Sequence, residues 1–105
     1  MAIGNRNYVR KNYGHILDAA MAKFDELIEA FRAAYPRSSN AKEGRVHLSL
    51  EVHHSKNTWA YHGVVIYRNP DGTFAWYPRS FYGYAVLSPR EWGPILGVDA
   101  EKRRA

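Results

Sequence analysis

Apolar residues from His15 to Tyr35 recur at intervals of three and four positions, which predicts a helix with one buried stripe. These residues are Leu17, Ala20, Met21, Phe24, Leu27, Ile28, Phe31 and Ala34. Asn12 and the earlier Asn5 are both candidate N-caps. Pro36 ends the helix because proline cannot continue a helical hydrogen-bond ladder, and residues 36–44 form a polar loop.

Beyond the loop the apolar spacing changes to every second residue. In Arg45–His53 the even positions are aliphatic and the odd positions are polar, which predicts a half-buried strand. A turn at residues 54–57 leads to a second strand over Thr58–Arg68, which is rich in aromatic and β-branched residues. The turn Asn69–Gly72 then reverses the chain into a third strand that runs from Thr73 to about Leu87.

Ser88, Pro89 and Glu91 have the spacing of a capping box, which predicts a short C-terminal helix that Gly93 and Pro94 soon break or kink. The whole pattern predicts an α+β fold. One long N-terminal helix packs on an antiparallel sheet of three strands, or four, and a short C-terminal helix follows. We expect residues 1–105 to form a single domain with flexible ends at 1–12 and 99–105.

The amino-acid composition excludes several classes of protein and site. The 105-residue chain has no cysteine, which excludes disulfide scaffolds, cysteine-ligated zinc sites and thiol nucleophiles. No stretch resembles a signal peptide or reaches the ~20 apolar residues of a membrane span, so we expect a cytoplasmic protein. The net charge of +5 suits an acidic partner surface or a nucleic acid.

The two tight turns predict a strand register, and a slip by one residue would turn the apolar face toward water. The predicted pairs are Ile66 with Trp76, Val65 with Tyr77, Gly63 with Arg79, Leu50 with His62, Ser49 with Gly63 and Glu51 with Tyr61. The face toward the long helix, here called the inner face, carries Val46, Leu48, Leu50, Val52, Ala60, His62, Val64, Ile66, Phe74 and Trp76.

The opposite face, called the outer face, is unusual because it is aromatic and basic. Its predicted residues are Arg45, His47, Ser49, Glu51, His53, Trp59, Tyr61, Val65, Tyr67, Tyr77, Arg79 and Phe81. Large apolar patches are uncommon on the surface of monomers, so something should cover this face. The covering group could be a partner, a ligand or the C-terminal segment, whose apolar residues are Val86, Leu87, Trp92, Ile95, Leu96 and Val98.

Glu51 and His53 are the first candidates for chemistry, two residues and ~6.6 Å apart on one strand. No third ligand accompanies them, so we expect neither a metal site nor a cofactor. The stretch 50–54 resembles the strand that opens the HNH nuclease motif, but the resemblance stops there because Thr58–Arg68 is predicted as a strand where that motif needs a helix.

A metal-independent ribonuclease is an alternative hypothesis. One helix followed by a sheet that bears Glu, His and Arg is similar in layout to the barnase-like ribonucleases. The resemblance implies Glu51 as the base, His53 or His47 as the acid and Arg79 as the cation that stabilises the phosphorane, with Tyr61 or Trp59 stacking on a base. The order helix, three strands, helix is also similar to the double-stranded RNA-binding domain, but Ser88–Glu91 stands in place of that family's lysine cluster.

The hypothesis that we favour is a non-enzymatic binding protein that docks onto a protein or nucleoprotein partner through the outer face, because Trp, Tyr and Arg dominate interface energetics. A simple RNA- or DNA-binding module remains an alternative. Small basic domains of this kind are typical of phage or mobile-element accessory proteins, including inhibitors of the anti-CRISPR type. The predicted binding residues are Arg45, His47, Glu51, His53, Trp59, Tyr61, Tyr67, Tyr77, Arg79 and Phe81.

Overall fold

The computed structural model describes residues 5–54, 59–81 and 85–98. For residues 52–54 and 59 it describes the backbone only. The predicted turn after His54 and the segment 99–105 lie outside these residues. Within them the α+β prediction is confirmed, because helices pack on one antiparallel sheet and a short helix follows it. No helix of the described residues is long and apolar enough to cross a membrane.

The predicted N-terminal helix begins earlier than its apolar stripe and is divided in two. Helix α1 spans Arg6–Ala22 and helix α2 spans Phe24–Ala34. The side chain of Asn5 caps α1 by accepting hydrogen bonds from two backbone amides of the first turn. Tyr13 leaves helical geometry with φ −129° and ψ 16°, and Lys23 separates the two helices. The first half of α1 therefore takes its own direction over the sheet.

The sheet follows a short helix, α3 (Ser39–Lys42), that lies within the predicted loop. Its strands are β1 (Arg45–His54), β2 (Trp59–Arg68) and β3 (Phe74–Phe81), in the order β1-β2-β3. Helix α4 spans Pro89–Leu96 and continues through Pro94, where a break or kink was predicted.

A single bridge takes the place of the fourth strand. Leu87 pairs with Leu48 in the parallel direction. The amide of Leu87 donates to the carbonyl of His47, and the amide of Ser49 donates to the carbonyl of Leu87, each at 2.9 Å. The segment that leads to α4 thus covers the free edge of β1, which would otherwise present unpaired backbone groups.

The main core lies between the inner face and the helices. All three of the longer helices contribute to it, together with inner-face strand residues. Its fully buried large side chains include Ile16, Leu17, Leu27, Phe31, Leu48, Ile66 and Trp92. Burial of this apolar stripe is the main force that holds the helices on the sheet.

The predicted register is confirmed for four of the six pairs, and the pairs of Leu50 with His62 and of Glu51 with Tyr61 are wrong. Ile66 pairs with Trp76, and Gly63 pairs with both Arg79 and Ser49. A β-bulge at Leu50 then shifts β1 by one residue, so that Glu51 pairs with His62 where Leu50 was predicted. An extra residue of this kind exchanges the two faces for the rest of the strand.

Candidate functional site

The C-terminal segment covers part of the outer face. Val86 packs there against Val65 and Phe81. The bridge at Leu87 then carries the chain around the edge of β1, and Trp92 and Leu96 join the main core on the inner side. The outer face is therefore divided into a covered part, which includes His47, Val65 and Phe81, and a more open part on β2 and β3.

Two of the predicted binding residues belong to the covered part. His47 is 1% exposed and Phe81 is fully buried, so neither presents its side chain to a partner. The ring of Phe81 lies 5.0 Å from the ring of His47, and Phe31 of α2 lies 5.4 Å from the same imidazole. The prediction that His47 and Phe81 form part of an open surface is wrong, because these aromatic rings pack on one another.

His47 is held as a neutral imidazole. Its Nδ1 lies 3.0 Å from the carbonyl oxygen of Ala85, which can only accept, so Nδ1 carries the hydrogen. Its Nε2 is buried and has no partner among the described residues. Burial lowers the pKa of His47 from 6.5 to about 4; repulsion from Arg79 and Arg45 acts in the same direction, against the contact with Ala85.

We expect this histidine to make the fold acid-sensitive. Between pH 6.5 and about 4 the folded state holds fewer protons than the unfolded chain, since the pKa of His47 is lowered in the fold. The free energy of unfolding should therefore be fully retained above pH 6.5 and should decrease by about 3 kcal/mol as the pH falls to 4. Urea unfolding followed by tryptophan fluorescence at several pH values measures this decrease.

His47→Leu is the matched control, because it removes the titrating group and keeps a side chain that can be buried. The variant and the wild type share all carboxylates, so the difference between their pH profiles isolates the imidazole. We expect the variant to lose about 3 kcal/mol less over the same range. Parallel profiles would contradict the lowered pKa.

The open part of the outer face is formed by Tyr67, Tyr77 and Arg79, with Tyr61 at its boundary, where it packs against the covered cluster. Tyr77 is the one large hydrophobic residue of the described chain that is classed as exposed, with 37% of its surface accessible. The rings of Tyr67 and Tyr77 meet edge to face at 6.3 Å. The guanidinium of Arg79 lies 5.8 Å from the ring centre of Phe81, which holds it against the boundary of the covered part.

Arg45 lies at the rim of this surface and is tied to the preceding segment. Its Nε donates to the side-chain oxygen of Asn40 at 3.0 Å, and its guanidinium also pairs with the carboxylate of Glu43. These contacts orient Arg45 toward α3, so it is a weaker candidate for contact with a partner than Arg79.

The prediction that Glu51 lies on the outer face is wrong. Its carboxylate accepts a hydrogen bond from the hydroxyl of Tyr8 at 2.7 Å and another from the hydroxyl of Tyr13, both on α1. The physical reason is the bulge at Leu50, which turns Glu51 toward the helices. No Asp or Glu of the described strands then remains on the outer face.

The bulge also separates the residues of the predicted ribonuclease. Glu51 lies on the inner face and Arg79 on the outer face. His53 pairs with Ala60, in the inner row, and its side chain, like that of Trp59, lies outside the described ones. Base and cation are therefore on opposite sides of the sheet, and the arrangement that this hypothesis requires is absent from the described residues.

A second group of polar residues lies on the inner face, where sequence reasoning did not place one. Glu51 stands opposite His62, and His62 stands opposite Ser80. The hydroxyl of Ser80 lies 3.1 Å from Nδ1 of His62. Polar residues at two inner positions of β2 and β3 were the available signal, but alternation alone put Glu51 on the other side.

The described residues contain no group of three His, Cys, Asp or Glu side chains placed to hold a metal ion. Comparison with known proteins adds no assignment: no protein-family model matches the chain, and neither a curated protein nor a solved structure matches it.

Proposed function

We propose that this protein binds the acidic surface of a partner protein through the open part of the outer face. The observation that supports the proposal is that Tyr61, Tyr67, Tyr77 and Arg79 share one face of β2 and β3, on strands that carry no carboxylate on that side. Tyrosine and arginine are enriched in protein interfaces and in their energetic hot spots. An arginine on a surface of this kind favours an anionic partner.

The low density of positive charge on this surface favours a protein partner over a nucleic acid. Binding along a phosphate backbone uses many Lys and Arg side chains. The open part of the outer face offers one arginine among three tyrosines, with Arg45 at its rim held by Glu43. An inhibitor that occupies a docking surface of a cytoplasmic nucleoprotein complex, such as a phage-encoded inhibitor of the anti-CRISPR kind, is the specific form of this proposal.

Site-specific photo-crosslinking tests the location of the interface. A benzophenone amino acid at Tyr77 should give a protein adduct in cells, and the adduct should be lost when Arg79→Glu is added. The same probe at Glu29, on the exposed side of α2, is the matched control and should give none. Equal adducts at both positions would contradict the proposal, and an adduct that nuclease removes would indicate nucleic acid.

With the crosslinked partner purified, Tyr77→Ala and Arg79→Glu should each weaken its affinity at least tenfold, because each removes a central contact of the surface. Their melting temperatures should stay within a few degrees of the wild type, since Tyr77 is exposed and Arg79 is partly exposed. Arg90→Glu on α4 makes the same change of charge at an exposed site and should bind normally. Titration calorimetry measures the affinity of each variant for the partner. It therefore compares a change of charge on the outer face with the same change on α4.

A further inference from the structure

Three polar residues form a row across the inner face, one from each strand. Ser80 of β3 pairs with His62 of β2, and His62 pairs with Glu51 of β1. Directly opposed residues of antiparallel strands have Cβ atoms about 5 Å apart, which brings neighbouring side chains within reach of one another. The row therefore has a hydroxyl at one end, an imidazole in the middle and a carboxylate at the other end.

One side-chain contact and the strand register give the order of these groups. Ser80 Oγ is 3.1 Å from His62 Nδ1, a distance at which the imidazole can accept the hydroxyl hydrogen. Glu51 accepts hydrogen bonds from the hydroxyls of Tyr8 and Tyr13, which orient its carboxylate.

Access to solvent separates this row from the core around it. Ser80, His62 and Glu51 are each partly exposed, whereas Val64 and Ile66, further along the same face of β2, are fully buried. We therefore expect a small reagent in solution to reach the side chain of Ser80. A network that served only to attach α1 to the sheet would need Tyr8, Tyr13 and Glu51, but neither Ser80 nor His62.

We infer that Ser80, His62 and Glu51 form a nucleophile, a general base and an orienting anion that accept the acyl group of a carboxylic ester. Ser80 Oγ bonds to the carbonyl carbon while His62 takes the hydroxyl proton and Glu51 stabilises the imidazolium. His62 then gives that proton to the departing alcohol as the ester bond breaks. Water attacks the acyl-serine, passes a proton to His62, and releases the carboxylic acid as that proton returns to Ser80.

This site is independent of the proposed docking surface, because the two lie on opposite faces of the sheet. Tyr77→Ala and Arg79→Glu, which are expected to weaken docking at least tenfold, should leave acylation of Ser80 unchanged. Failure of one proposal therefore carries no consequence for the other.

The direct test uses a serine-directed fluorophosphonate and locates the adduct by mass spectrometry of peptides. We expect one adduct, on Ser80, and none on Ser39, an exposed serine at the start of α3 that serves as the control. Ser80→Ala should abolish labelling, and His62→Gln should slow it at least about 100-fold, as loss of a general base does. p-Nitrophenyl acetate should show the same order of rates.

Melting temperatures distinguish loss of reactivity from loss of fold. Ser80→Ala and His62→Gln replace partly exposed residues and should unfold within a few degrees of the wild type. Wild-type protein that gains no adduct at Ser80 would overturn the inference. It would be overturned equally by labelling of His62→Gln at the wild-type rate, or by labelling of Ser39 and Ser80 to the same extent.

Discussion

Gly63→Ala should lower the melting temperature by about 15 °C or prevent folding. A Cβ atom at this position would lie 1.8 Å from the carbonyl oxygen of Leu48 and 3.0 Å from the Cα atom of Ser49. Both contacts are with backbone atoms of β1, so no rotation of a side chain relieves them. We expect a loss of at least about 3 kcal/mol, the upper part of the range for overpacking, and a domain of this size changes its melting temperature by roughly 4–8 °C per kcal/mol.

Gly14→Ala is the matched control for this substitution. A Cβ atom at Gly14 would approach only the side chain of Arg10, with the nearest atom at 3.3 Å, and a long side chain can move. Alanine is also the better helix former, so the change should be neutral or stabilising by up to about 1 kcal/mol. Scanning calorimetry measures the melting temperatures of the two variants. Equal values would show that the backbones of β1 and β2 leave room for a Cβ atom at position 63.

Trp92→Ala should destabilise the protein by about 3–5 kcal/mol, the cost of emptying a fully buried aromatic site. Trp92 has no exposed surface, and its indole Nε1 donates a hydrogen bond of 2.8 Å to the carbonyl oxygen of Ser49. That carbonyl lies directly before the bulge at Leu50. Trp92 therefore supports both the core under α4 and the backbone that turns Glu51 inward.

Trp92→Phe separates these two contributions. It retains most of the apolar volume but leaves the carbonyl of Ser49 without its buried donor, which should cost about 1–3 kcal/mol. Equilibrium unfolding in urea should thus rank the proteins as wild type, Trp92→Phe and Trp92→Ala in order of decreasing stability. If Trp92→Phe were as stable as the wild type, the hydrogen bond to Ser49 would have no part in holding the bulge.

Local pattern was sufficient for the elements of this fold and for most of their pairing. The turn before Thr73 predicted the register that pairs Ile66 with Trp76, and the amide of Asn69 donates to the carbonyl of Thr73 at 2.7 Å. The apolar stripe marked the helices but hid their division, because Tyr13 and Lys23 interrupt the helical backbone without interrupting the sequence of buried side chains.

The open surface was predicted only in part. Tyr61, Tyr67, Tyr77 and Arg79 lie on the predicted face because β2 and β3 pair without a shift. His47 and Phe81 lie on that face too, yet they are buried, and alternation cannot say which residues of a face lie under others. Phe31 of α2 and Val86 of the C-terminal segment, both distant in sequence, complete their burial.

The sequence by itself determined an α+β domain, the two faces of β2 and β3, and a basic aromatic surface without cysteine chemistry, since these follow from periodicity and composition. The tertiary structure alone decided the side on which Glu51 lies. A bulge of one residue at Leu50, beside a carbonyl held by Trp92 from far along the chain, reverses the alternation of β1. Such a contact between distant segments leaves no periodic signal, and it moves Glu51 from the outer face to the row with His62 and Ser80.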